Sequence, residues 1–575
     1  MKVNDIAVRI GGQAGDGALT TGDTLALVLH RMGLYVITFK DFPSQIRGIH
    51  TNYTIRASAK PVQARPDTLD VLMAFDHDSI ERHLHEMAPG GYIIYESSRG
   101  ELKEIPRDDL VVINVPLRKI AQEVAGREVM KNTVALGVLA AFTGLDRQVM
   151  EDILKERFLK RKGMAVVEAN LKAFDAGYDF YQQAGLPTDH LKLQRNGEPK
   201  GYLMIGNEAI AFGALVAGCR FYAGYPITPA SEIMEWLAKF LPKYNGVVVQ
   251  AEDEIASINL AAGAALAGAR AMTATSGPGL SLMTEGLGYI ATIEAPVVLV
   301  NTTRSGPSTG MPTKTEQSDI FHSVFGGHGD FPRIVLSPKD AQEAYLLTIE
   351  AFNLAEEFQL PVIFFVDQFL AQNKYTVPDL PREAAQVRRG ELLDPTKSVN
   401  PDDPEATFPR YRVTESGVSP RTIPGTPGGI HWVTGLEHTE YGHVSTYAKN
   451  RVEQMNKRFR KLETARPRLP KPVVYGDPKA ERVLIVTGST TGPALEAMEQ
   501  ADGAFFVVQV RTLWPFDVND LKAYTENKAV YVAEVDYQGQ LAFLVEHHLG
   551  RKVHRVVKYN GRPFRPSEIK EALLS

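Results

Sequence analysis

GVVVQAEDEIASINLAAGAALAGARAMTATSGPGLSLMTE, residues 246–285, sets the fold class. GVVVQ is a short β-branched run that reads as a strand. Glu252, Asp253 and Glu254 follow at the junction, where a helix N-terminus favours negative charge. The Ala- and Gly-rich run behind them is the longest apolar region of the chain, Ile255 to Met272. Ser257, Asn259 and Arg270 interrupt it, which suits a tightly packed helix of a soluble protein better than a bilayer span. TSGPG (275–279) then marks a turn. Strand, acid-headed helix and glycine turn in this order are the grammar of an α/β domain.

The same grammar extends in both directions. Upstream, AGYPITPASE (223–232) places Tyr225, Pro226, Ile227, Thr228 and Pro229 after the short strand FYA. Two prolines fix this entry to a helix over 230–240, and Thr228 reads as its cap. Downstream, PVVLVNTT (296–303) ends in Arg304, followed by a small-residue loop bearing Ser305, Ser308, Thr309, Thr313 and Lys314. A cation with hydroxyls at the carboxyl end of a strand suits carboxylate recognition. Further strand-like runs at RIVLS (333–337) and PVIFFVD (361–367) complete a unit over 201–375.

Ahead of it, residues 1–185 alternate strand and helix signals, from IAVRI (6–10) through VLMAFD and GYIIYES to LVVINVP (110–116), and predict an open, mostly parallel sheet. The polar stretch 186–200 reads as a linker. Behind it, regularity collapses from about 375 to 472, so 376–475 reads as an irregular connector containing a basic helix. Lys449 to Lys471 hold nine Lys or Arg against two Glu, which predicts a solvated face, with a docking patch as the rival reading. A last α/β unit, 476–575, starts at RVLIVTG (482–488).

Length and composition bound the rest. At roughly 150 residues per domain, 575 residues imply three or four domains. The net charge of −5 excludes bulk attraction to nucleic acid as the chain's main business. Met1 to Arg9 is too short and polar for a signal peptide, so a cytoplasmic setting with no membrane anchor is expected. One cysteine, Cys219, fits that setting; it forbids an internal disulfide and cannot hold a four-cysteine cluster. It reads as a buried thiol in a small-residue helix ahead of FYA. No histidine set has metal-ligand spacing: His83 and His85, like His547 and His548, face apart on a helix, and His77 reads as a surface turn. The glycine turn GGQAGDG (11–17) has the wrong register for a dinucleotide fingerprint; an anion site and a tight turn both remain open readings. As a thiamine diphosphate Mg²⁺ motif its Gly-Asp-Gly fails, because VITFKDFPSQ, at the distance of the expected Asn, contains none.

Taken together, GYPITP, the EDE-headed helix, TATSGPG and RSGPSTGMPTKTEQSD (304–319) resemble the α subunit of 2-oxoacid:ferredoxin oxidoreductases, the last segment most like the 2-oxoglutarate branch. The GGQAGDG domain resembles the family's γ subunit, fused here ahead of α. VVQVRTLWPF (507–516), AEVDYQGQLA (533–542) and YNGRPFRPSEI (559–569) resemble its transketolase C-terminal-like domain, with Asp536 where relatives often carry Asn. The resemblance implies a multidomain α/β fold: a Rossmann-like γ domain, a pyrimidine-binding thiamine diphosphate domain and the C-terminal domain.

It also implies the chemistry. Glu254 matches the glutamate that bonds N1′ of the aminopyrimidine, favouring the imino tautomer whose 4′-nitrogen can take the C2 proton. Tyr225, Pro226 and Ile227 match the cofactor-facing turn. Thr228 and Arg304 match positions that hold the 1-carboxylate, with Ser305 beside them and Thr313 and Lys314 as candidates for a distal carboxylate. Mg²⁺ with the diphosphate, and a [4Fe–4S] cluster, would then sit on a β partner subunit, leaving no metal ligand on this chain. The expected reaction takes 2-oxoglutarate, CoA and oxidised ferredoxin to succinyl-CoA, CO₂ and reduced ferredoxin, in either direction, within a dimer of αβ pairs. The rival readings are a pyruvate or branched-chain 2-oxoacid enzyme, a non-catalytic scaffold, and an NAD-linked dehydrogenase built on the 11–17 turn.

Overall fold

The computed structural model describes residues 2–43, 49–186, 191–400, 402–403, 407–517 and 519–575; part of the expected linker and of the connector lies outside them. The chain forms two compact units. One comprises Met1–Met204 with Asn373–Asp379 and Arg565–Glu568; the other comprises Ile205–Gln372, Leu380–Phe564 and Ile569–Ser575.

The first unit is built on an eight-stranded sheet. Strands Asp5–Gln13, Leu69–Ala74, Met87–Glu96 and Val111–Val115 run parallel, as the alternating pattern predicts. The other half departs from that expectation. His50–Ser58 pairs antiparallel with both Asp5–Gln13 and Tyr35–Asp41, so the sheet is mixed. HTNYTIRAS is half polar, and its Thr, Tyr and Ile carry the β signal only in alternation. Helix Ala18–Arg31 covers one face with Leu25, Ala26, Val28 and Leu29 fully buried.

The second unit holds two sheets. In the seven-stranded one the order is Val247–Gln250, Cys219–Gly224, Arg270–Thr275, Val297–Thr303, Val362–Asp367, Ile334–Leu336 and Thr512–Trp514, all parallel except the last. Every residue of Val297–Thr303 and Val362–Asp367 is buried, which is why these runs read as continuously apolar. Two expectations are corrected here. The apolar region 255–272 is not one helix: helix Glu254–Leu266 ends, and Arg270–Thr275 is a central strand. Alanine and glycine on both sides of Gly268, with φ +92, hide that break. Cys219 is buried as expected, but it opens a strand; burial pushes its thiol up to about 12.

The five-stranded sheet, Val473–Tyr475, Phe506–Gln509, Arg482–Val486, Ala529–Glu534 and His554–Val557, belongs to the same unit. Gln317 ties it to the larger sheet. Its amide donates to Asp367 and to the Thr487 carbonyl, and its oxygen accepts from Val535 N and Thr490. Gln540 does the same, accepting from Phe321 N at 2.8 Å and donating to Ser318 O at 2.7 Å. Asp536 accepts from Gly539 N and Gln540 N just ahead of helix Gln540–Leu549, using both of its oxygens.

The basic stretch is corrected as well. Helix Ala448–Ala465 is not solvated all round: Lys457 and Lys461 are fully buried, and both bind the buried carboxylate of Glu294, at 2.7 and 2.5 Å. Burial lowers Lys457 to about 8 and Lys461 to about 7, while the two lysines hold Glu294 far below the carboxylate range against the opposing effect of burial.

Candidate active site

The parallel strands of the larger sheet end on one edge, and the sequence places its chemistry there. After Cys219–Gly224 comes the 225–229 turn; after Val247–Gln250 comes Glu254. After Arg270–Thr275 comes Ser276 and then, where a turn was expected over 275–279, the first turn of helix Gly277–Thr292; after Val297–Thr303 comes Arg304. Ligands of open α/β sheets collect at this carboxyl edge.

Glu254 is the first residue of its helix. Asp253 is the cap, its carboxylate accepting from Ala256 N at 2.7 Å, so the two neighbouring acids do different work. Glu254 is 6% exposed, and its carboxylate makes no hydrogen bond among the described residues. Gly279 explains how it fits. A Cβ there would lie 2.0 Å from Thr275 Oγ1 and 2.6 Å from Glu254 Oε1, so only glycine leaves the carboxylate its place. A Cβ on Gly277 would similarly lie 2.7 Å from Asp319 Oδ2.

Arg304 reaches across the same edge. It is buried, donating from Nη1 to Thr228 O at 2.6 Å and from Nη2 to Thr309 O at 3.1 Å; its Nε–H has no partner. The structure thus brings Thr228 and Arg304 together, although Thr228 does not cap the helix. That helix, Ser231–Phe240, begins at Ala230 without a side-chain cap. Burial lowers the Arg304 pKa, and Asp319 opposes this. Asp319 is itself raised by burial, with Asn301, His322 and Arg304 opposing the shift.

The loop after Arg304 closes on itself. Ser305 N donates to Lys314 O at 3.0 Å, and Met311 N donates to Ser305 O at 2.9 Å. Gly310, at φ +53, has room for no Cβ, which would lie 1.9 Å from Ser305 O. Ser305 and Thr313 are buried; Lys314 is half-buried, its stem against Gly561 of the YNGRPF turn. Tyr225 and Pro226 are exposed, and Ile227 and Thr228 half-buried, so this turn faces outward.

Sequence reasoning missed Asn301, Asp319 and Glu316. Asn301 donates to Asp319 at 3.3 Å, and Glu316 is raised by burial, with Ser318 and Ser305 holding its carboxyl. The one signal available was glycine: positions 277 and 279 are glycine because carboxyls occupy their Cβ space. Among the described residues no cluster of His, Cys, Asp or Glu could hold a metal ion, and no helix is long and apolar enough to cross a membrane.

The edge offers a hidden, unbonded carboxylate, a buried guanidinium with a free N–H, and an outward turn between them. The carboxylate suits a ring nitrogen that donates a proton, and the guanidinium suits a carboxylate.

Residues 212–457 match the family model for the pyruvate flavodoxin/ferredoxin oxidoreductase thiamine diphosphate-binding region, and residues 7–180 match that for pyruvate ferredoxin/flavodoxin oxidoreductase. The chain is 32% identical over 625 aligned residues to 2-oxoacid:ferredoxin oxidoreductase 1, subunit alpha, of Sulfurisphaera tokodaii, covering 98% of this chain and 96% of that one. It is 36% identical to the 2-oxoglutarate synthase subunit KorA of Methanothermobacter thermautotrophicus, over 65% of this chain and 98% of that one. A solved 2-oxoglutarate:ferredoxin oxidoreductase of Magnetococcus marinus, with 2-oxoglutarate, coenzyme A and succinyl-CoA bound, superposes with a TM-score of 0.92. Identity is 36%, and 99% of each chain is covered.

Proposed function

We infer the activity from one premise: the chain belongs to the 2-oxoacid:ferredoxin oxidoreductase family, as an oxidoreductase subunit that fuses γ-like and α segments. Its substrate is 2-oxoglutarate, and its reaction the reversible, CoA-dependent decarboxylation to succinyl-CoA and CO₂ with electrons passed to ferredoxin. The observation that carries this reading is the carboxyl edge itself, which sets Glu254 and the Thr228–Arg304 pair on one sheet of a chain so similar to a 2-oxoglutarate enzyme.

The residues fit thiamine diphosphate: Glu254 is an unbonded carboxylate held in place by Gly279. When bound, that cofactor supplies a nucleophilic carbon and stabilises the electron pair left by decarboxylation. This chain's own residues do the rest. Glu254 accepts the N1′ hydrogen bond and holds a proton at that atom. The Nε–H of Arg304 and the Thr228 turn hold the 1-carboxylate, and holding it orients the bond that breaks. Lys314 and Thr313 take the distal carboxylate, with Ser305 fixing their loop. Tyr225, Pro226 and Ile227 face the cofactor ring. Mg²⁺ and a [4Fe–4S] cluster belong to a β partner subunit, because one buried cysteine cannot ligate a cluster. Cytoplasmic location, a dimer of αβ pairs and the division at 1–185, 201–375 and 476–575 belong to the same proposal.

Glu254→Gln tests the catalytic reading. In a complex that still assembles with the β partner, CoA-dependent dye reduction should fall about 10²-fold or more. Unchanged activity would make this chain a scaffold.

A further inference from the structure

The opposite edge of the larger sheet carries a second concave site. A cavity of about 380 Å³ is walled by Leu266, Pro296, Ile423 and Val433 on its apolar side and by Arg410 and Arg421 on its polar side. Leu266 ends the helix that Glu254 begins, and 13 helical residues span on the order of 18 Å. Pro296 precedes the strand whose other end leads to Arg304. The cavity therefore opens at the amino ends of the strands, away from the carboxyl edge.

Its arginines are short of partners. Each is 2% exposed. Arg410 donates from Nη2 to the Glu294 carbonyl at 2.9 Å, and Arg421 donates from Nη2 to Glu356. Arg410 Nη1 and Arg421 Nε are buried without any acceptor. A buried guanidinium N–H left unpaired is costly, so two beside one cavity point to a missing acceptor.

Charge points the same way. Arg410 and Arg421 line this cavity with Glu294, and Arg270, Lys457 and Lys461 are buried behind that wall; Glu294 and Glu356 are the carboxylates paired with this group among the described residues. Glu294 is already shared by two lysines, and Glu356 faces Arg389 as well as Arg421. Burial lowers the Arg421 pKa against the opposing pull of Glu356, and Arg410 and Arg389 press it further down. With the two lysines already lowered towards neutrality, the standing excess rests on the arginines, which keep their charge and favour an anion beside them.

We propose that this cavity binds a small organic oxyanion, its carboxylate or phosphoryl group on the Arg410 and Arg421 guanidinium groups and its apolar body against Leu266, Pro296, Ile423 and Val433. The site requires no residue of the carboxyl edge, so occupancy and catalysis can be read separately.

Titration calorimetry on the intact complex with benzoate, phenyl phosphate and neutral benzamide tests it. Saturable binding of benzoate or phenyl phosphate is expected, with the stronger of the two identifying the head group, and none of benzamide. Arg410→Gln should weaken binding at least tenfold. Val433→Trp, at the half-open rim, should do the same by filling the mouth, and it still decides the matter should Arg410→Gln fail to fold. Both variants should keep their oxidoreductase activity. No saturable binding of either anion, equal binding of benzamide, or unchanged affinity in the folded variants would overturn the proposal.

Discussion

Two glycine turns in this chain share one local grammar and have different contents. GGQAGDG runs from the end of strand Asp5–Gln13 to the cap of helix Ala18–Arg31, and TSGPG runs from the last residue of strand Arg270–Thr275 into the first turn of helix Gly277–Thr292. In the first, Asp16 fills the turn with the chain's own anion. Lys131 binds it at 2.6 Å and Arg118 at 3.5 Å, and it accepts from Gln13 N. Gly17, at φ +86, packs on Asn132 so closely that a Cβ would lie 2.1 Å from Nδ2. In the second, glycines at 277 and 279 make room for Asp319 and Glu254, and the Glu254 carboxylate keeps its acceptors unspent. The first turn is electrostatically closed and the second open. The earlier choice between an anion site and a tight turn at 11–17 thus resolves into a turn that carries its own anion.

The contrast can be broken from either side. Gly279→Ala is expected to have the largest effect, because the new methyl displaces Glu254. Dye-reduction activity should fall about 10²-fold in a complex that still assembles, with overpacking costing about 1–3 kcal/mol of stability by thermal denaturation. Arg304→Lys comes next. A lysine cannot span Thr228 O, Thr309 O and a substrate carboxylate together, so KM for the 2-oxoacid should rise about tenfold. Gly17→Ala should cost the first unit about 1–3 kcal/mol through left-handed strain and the clash with Asn132, visible as earlier denaturant unfolding. Asp16→Asn should cost about 1–3 kcal/mol, since it leaves the buried ammonium of Lys131 without its carboxylate.

A pH dependence is expected in the first unit as well. Burial lowers His83 to about 4, with Glu86 opposing and Arg9 assisting the shift. The folded unit therefore binds fewer protons than the unfolded chain, so stability is lost as pH falls from about 6.5 to 4. Replacing His83 with Gln should flatten that slope in a urea titration series.

Much of this was legible in the sequence, and the failures share a cause. Arg304 and Thr228 stand after strand ends beside proline and glycine, where local pattern drew attention to them, whereas Glu254 was separated from its acidic neighbours only by the family resemblance. What local pattern could not supply was a partner far along the chain. Lys457 and Lys461 read as solvated because their counter-ion, Glu294, lies more than 160 residues away. Arg270–Thr275 was absorbed into the preceding helix because alanine serves a packed helix and a buried strand equally. His50–Ser58 escaped notice because its pairing, not its composition, makes it a strand.

The central claim is that the carboxyl edge, completed by a β partner, processes 2-oxoglutarate. The most direct measurement compares CoA-dependent ferredoxin or dye reduction by the intact complex with 2-oxoglutarate, pyruvate and a branched-chain 2-oxoacid. The account predicts the highest kcat/KM for 2-oxoglutarate. It is contradicted if 2-oxoglutarate is the poorest of the three.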